Sequence, residues 1–181
     1  MARRHGFQVA PTSRALVRRQ AAIVRGIAEC GPHLPVVELI DVLLPKKFPG
    51  FLCVYLSIAD MIERFGPGVE GMTFPDQGEI YIREDVYLKA LNEDGRSRFS
   101  IAHELGHLFL HHGIGLARRT SEDTPIYCNS EWQADTFAGE LLVDFTQVEP
   151  GSSVQGLMSR FGVSHEAGRA MWSQLRAEGM L

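Results

Sequence analysis

Apolar residues along the chain recur with two different periods, and the changes of period mark out its elements. From about Ser13, the residues Leu16, Ile23, Val24 and Ile27 form a helical stripe among arginines, and Gly31-Pro32 stops the run. Val36, Val37, Ile40, Leu43 and Leu44 repeat in the same way, with Pro35 suited to the first turn and Pro45 expected to end the helix. Phe51 to Leu56 is a short apolar run that reads as a buried strand. Ser57 to Phe65 has room for one or two helical turns before the break at Gly66-Pro67-Gly68. Between Gly71 and Arg83 the spacing drops to two. Met72-Thr73-Phe74 and Glu79-Ile80-Tyr81-Ile82-Arg83 are the arms of a hairpin turned at Pro75-Asp76-Gln77-Gly78, where Gly78 can take positive φ.

Helical spacing then returns. Asp85 to Leu91 is a short helix, and after the loop Asn92 to Gly95 a longer one runs from Arg96 to His112. Its apolar side is Ile101, Ala102, Leu105, Leu108, Phe109 and Leu110, and Gly113 is its stop. Ile114 to Cys128 has no periodicity, and a loop of that length inside a compact domain is often functional. A further helix carries Trp132, Phe137, Ala138, Leu141 and Leu142. Two last helical patterns, Val154 to Phe161 and Ala167 to Leu175, flank the turn Gly162-Val163-Ser164, with Ser164 a good N-cap. Few strands among many helices predict an α+β fold, a small mixed or antiparallel sheet packed on helices. Residues 1–181 are expected to form one domain, with a flexible lead over 1–10 and a C-terminal helical hairpin over 152–181.

Composition narrows the function classes. A net charge of −4 does not point to a nucleic-acid or membrane partner, and no window has the apolar length of a membrane span. Six arginines and no acidic residue fall within positions 1 to 28. That bias occurs in organellar leaders, but here the arginines belong to the first helix, with a basic face for solvent or an acidic partner. Cys30, Cys53 and Cys128 are few, odd in number and widely spaced. With no apolar signal core at the N-terminus, they point to a reducing cytoplasm.

The chemistry is concentrated in His103-Glu104-Leu105-Gly106-His107. Residues four apart share a helix face, so both imidazoles can reach one small cation, half of a tetrahedral zinc site. Glu104, one residue round, is placed to take a proton from a water on that cation. A third ligand is needed. The position six residues beyond His107, where a third histidine would complete one known pattern, is Gly113. His111 and His112 are out of phase with His103 and read as exposed or supporting residues. The better candidate is Glu131 on the following helix. Asp135, one turn on, could accept a proton from the far nitrogen of a ligand histidine. Cys128 is a lesser alternative as ligand, and Tyr127 and His165 are candidate oxyanion stabilisers on residue type alone.

The run Phe99 to His112, followed by Glu131-Trp132-Gln133-Ala134-Asp135 and Phe137 to Leu142, resembles the ImmA/IrrE family of bacterial and phage metallopeptidases. The similarity extends from about Pro11 to Leu181 and is sharpest between Gly71 and Leu142. The family usually reads Leu-Leu-Met-Pro where this chain has Leu141-Leu142-Val143-Asp144, which bears on the local helix end. The resemblance implies a zincin-like core, one Zn2+ held by His103, His107 and Glu131, and Glu104 as general base. Mn2+ or Fe2+ are the other metals to consider. It also implies a protein substrate, typically a helix-turn-helix transcriptional repressor or antitoxin whose cleavage relieves repression.

Two other classes stay open. One is a partner-binding module with a structural metal, against which an intact Glu104 argues. The other is DNA binding through the C-terminal hairpin. Arg169 and Arg176 are offset there by Glu166 and Glu178, so direct nucleic-acid binding is not expected and a packing or partner-contact role is favoured.

Overall fold

The computed structural model describes residues 6–113 and 119–181. The elements in chain order are α1 (Arg14–Arg25), α2 (Val36–Glu38), a π turn (Leu39–Leu43), α3 (Leu44–Lys47), β1 (Leu52–Leu56), α4 (Ile58–Phe65), β2 (Gly71–Phe74) and β3 (Glu79–Arg83). They continue with α5 (Glu84–Leu91), α6 (Gly95–Leu110), α7 (Ser130–Leu142), α8 (Val154–Phe161) and α9 (His165–Ala177). The fold is α+β, as expected. Among the described residues, no helix is long and apolar enough to cross a membrane. Part of the expected flexible lead (1–5) and part of the aperiodic loop (114–118) lie outside the described residues.

The sheet has the order β1-β3-β2, with β1 parallel to β3 and β2 antiparallel to it. The hairpin is present, with a 3-10 turn at Pro75–Gln77 and Gly78 at φ 72. Register places Gly71 opposite Ile82 and Thr73 opposite Ile80, so these four share one face. Ile80 and Ile82 are buried in the main core, which also holds Ile101, Leu105, Phe137 and Leu141. The other face carries Phe74 and Tyr81, which pack against Phe65 of α4. The strand that precedes the metal helix, β3, is therefore central and paired on both sides. β1 and β2 are the edge strands, and β2 is the one whose Thr73 meets Glu104 of α6.

α6 and α7 pack through Gly106. A Cβ there would lie 2.9 Å from Ala134 Cα and 3.0 Å from Ala134 O, so only glycine permits this approach. Ser13 caps α1, Asp94 caps α6, Asn129 caps α7 and Ser164 caps α9, each accepting from a backbone N–H in the first turn. α7 ends at Leu142, and Asp144 caps the next turn through Thr146 N.

Two expectations about the N-terminal third need correcting. The buried face of α1 is Val17, Ala21 and Val24, while Leu16 and Ile23 are 51% and 66% exposed. The helix is rotated because Arg14, Arg18 and Arg25 turn toward the protein, while Arg19 stays exposed. Arg14 and Arg18 both bind the Glu140 carboxylate, whose side chain is fully buried. Arg25 is buried and donates to the carbonyls of Leu141, Gly31 and Pro32. The second correction concerns Pro45, which does not end its helix. Proline has no N–H and its ring clashes with the carbonyl four residues back. The wider π turn, closed by Leu44 N to Leu39 O, absorbs both effects and lets the helix continue to Lys47.

The C-terminal hairpin packs on the core through Leu157, Phe161, Val163, Ala167, Met171 and Leu175. Arg98 of α6, 1% exposed, fastens it by donating to Phe161 O as well as to Leu34 O and Glu93.

Candidate metal centre

His103 and His107 lie on one face of α6, with their Nε2 atoms 3.0 Å apart. Glu131, in the first turn of α7, brings Oε2 to 3.4 Å from His103 Nε2 and Oε1 to 3.5 Å from His107 Nε2. Donor atoms bound tetrahedrally at zinc distances are separated by about 3.3 Å. The three side chains already have that spacing, so they fit a zinc-sized cation and could hold one. Among the described residues they are the group of histidine, cysteine and acidic side chains close enough to do so. Cys128 is a buried free thiol outside the group.

The electrostatics match the geometry. Burial pulls the His103 imidazole down, but the carboxylates of Asp135 and Glu131 outweigh it and lift its pKa to about 10. Burial likewise opposes ionisation of Glu131, yet its hydrogen bonds to His103 and His107 hold the carboxyl well below the usual range. Two imidazoles and a carboxylate this strongly coupled form a site ready for positive charge. Asp135 accepts at 2.9 Å from His103 Nδ1, which leaves Nε2 to face the cation.

Glu104, next to His103 on α6, reaches edge strand β2. The Thr73 hydroxyl lies 2.6 Å from its Oε2 and 3.2 Å from its backbone carbonyl. At Gly71 a Cβ would stand 2.6 Å from Glu104 Cγ and 2.7 Å from Oε1. The strand therefore approaches closely enough for its backbone to wall the carboxylate. A cleft of about 740 Å³ opens here, lined by Gly71, His103, Glu104 and Asp135 and, from α9, by Ala170 and Met171. Tyr127 and His165 are not among its lining residues.

Of three further contributors, Thr73 and Gln133 were not assigned from sequence, and His111 was read there only as exposed or supporting. Thr73 gave no signal beyond its place in an alternating strand. His111 did, since it is four residues after His107 just as His107 is four after His103. It is 5% exposed, and its Nδ1 is 2.9 Å from His107 Nδ1. Burial, then the neighbouring His107, pushes its pKa down to about 4. Gln133, the third, lies 3.2 Å from His111 Nε2. His112, by contrast, is exposed, 4.0 Å from Asp76.

The peptidase M78 family model, described as the IrrE N-terminal-like domain, matches residues 53–173. The match spans β1 to α9 and includes every residue of the site. A search of curated proteins returned no match.

Proposed function

The chain belongs to the peptidase M78 family, and on that premise we propose that it is a zinc-dependent endopeptidase acting on a protein partner. The observation that carries the reading is the convergence of His103, His107 and Glu131 at zinc-like donor spacing beside a carboxylate that is not part of the trio. Zinc would lower the pKa of a water and polarise a scissile carbonyl there, and Mn2+ or Fe2+ could do the same. Glu104 is the general base. Its Oε2 is engaged by Thr73, which leaves Oε1 to receive the water's proton and return it to the departing amine. Asp135 holds the His103 ring with Nε2 inward. The outer edge of β2, which pairs with no strand among the described residues, offers backbone groups to a substrate strand lying along the cleft.

The partner we propose is a helix-turn-helix repressor or antitoxin, and the output is relief of repression in the cytoplasm. This part rests on the resemblance in the sequence, together with free thiols suited to a reducing compartment. The test is incubation of the zinc-loaded protein with a helix-turn-helix repressor, taken from a neighbouring gene where one encodes it. Cleavage by the parent, and none by a Glu104→Gln variant that still binds zinc, is the expected result. A Glu104→Gln variant cutting at the parental rate would sink the mechanism. A parent that binds zinc but cuts nothing would favour a structural metal.

A further inference from the structure

We propose that His111 and Gln133 form a relay that sets the tautomer and orientation of His107 and so tunes metal affinity. The relay rests on the metal-binding part of the reading above, though not on proteolysis. It starts from the Gln133 side chain, 3% exposed. Its amide nitrogen donates to Ala10 O at 2.9 Å and to Tyr127 O at 2.8 Å. Both hydrogens are thus spent, and the opposite amide orientation would set Oε1 against two carbonyl oxygens. Oε1 must therefore be the atom that faces His111 Nε2, at 3.2 Å.

An amide oxygen only accepts, so His111 carries a hydrogen on Nε2. Its Nδ1 then offers a lone pair to His107 Nδ1, 2.9 Å away. Two bare nitrogens would repel at that distance, so His107 bears the hydrogen on Nδ1 and donates it to His111. The result is a bare His107 Nε2 directed at His103 and Glu131. The same answer comes from the other end, because Nε2 is the His107 nitrogen that faces the other two candidate ligands. Among the described residues, His103 obtains the equivalent support from Asp135. The two imidazoles are therefore oriented by unlike devices. One is an exposed carboxylate, and the other a buried neutral relay anchored on main-chain carbonyls of the N-terminal segment and of the segment before α7.

His111 and Gln133 are positioning residues, and their contribution is testable without turnover. Ring-nitrogen NMR of the intact, metal-free and zinc-loaded protein should show His111 protonated at Nε2, and His107 at Nδ1 when zinc is bound. Zinc affinity, read by competition with a chromogenic chelator, should fall roughly 10- to 100-fold in His111→Phe and in Gln133→Leu. His111→Asn puts an amide oxygen near the position of Nδ1 and should restore affinity to within a few-fold of the parent. His111 protonated at Nδ1 would overturn the relay. So would unchanged affinity in His111→Phe, or equal losses in His111→Phe and His111→Asn. A parent that binds no zinc would instead overturn the metal reading itself, and the tautomer measurement would still judge the relay.

Discussion

The Thr73 hydroxyl lies 2.6 Å from Glu104 Oε2, tying the edge strand of the sheet to the helix that carries both histidines. A hydroxyl has one hydrogen, and the carboxylate at 2.6 Å is a better acceptor than the Glu104 carbonyl at 3.2 Å. Thr73→Val keeps the branched shape and removes the donor. A hydrogen bond to a charged group contributes about 1.5–3 kcal/mol, so kcat should fall roughly 10- to 100-fold. Zinc affinity should not change, because the carboxylate is not in the ligand trio. Steady-state peptide cleavage beside a zinc titration checks this, and Thr73→Ser should recover most of the rate.

Gly71 makes a different demand. The 2.6 Å and 2.7 Å contacts that a Cβ would make are both with the Glu104 side chain, which is flexible and can swing aside. Gly71→Ala should therefore displace the base with little cost to the fold. We expect a stability change under about 1 kcal/mol by denaturant melts. Misplacing a reacting group by about 1 Å can cost on the order of 100-fold in rate. A variant with full activity would mean that the carboxylate works from another position.

What sequence disclosed and what it hid divide along a physical line. The two histidines, Glu104, and the Glu131 and Asp135 pair were legible because helix geometry brings residues four apart onto one face. The hairpin was legible because its turn and both arms are contiguous. Strand order was not, since placing β3 beside β1 depends on pairing across the intervening α4 and β2. The face of α1 was misjudged because arginine counts as polar in any periodicity. Here Arg25 is buried, with its guanidinium shared among the carbonyls of Leu141, Leu142, Gly31 and Pro32. His111 was measured against His103, about 80° away, when the contact that matters is with His107, about 40° away.

Gly106 contrasts with Gly71, because the atoms it spares are backbone. A methyl group 2.9 Å from Ala134 Cα cannot be accommodated by a side-chain rotation, so α6 and α7 must separate. Gly106→Ala should cost about 1–3 kcal/mol of stability, as overpacking does. The same movement draws His103 and His107 away from Glu131, so zinc affinity should fall together with the melting temperature. Calorimetry with and without zinc separates the two effects. A variant that melts early yet binds zinc normally would show that the ligand trio does not depend on this helix contact.

The C-terminal hairpin contributes residues of its own to the cleft. Ala170 of α9 is exposed, and with Met171 it lines the same cleft as Gly71 and Glu104. If the substrate lies between β2 and the C-terminal hairpin, Ala170→Phe narrows its path without touching zinc or Glu104. An exposed substitution of this kind should change stability by less than about 0.5 kcal/mol. The lost contact applies equally to bound substrate and transition state, so KM should rise about tenfold with kcat nearly constant. Zinc affinity and the unfolding midpoint should match the parent. If KM is also unchanged, the hairpin serves packing alone and the substrate runs along the strand without meeting α9.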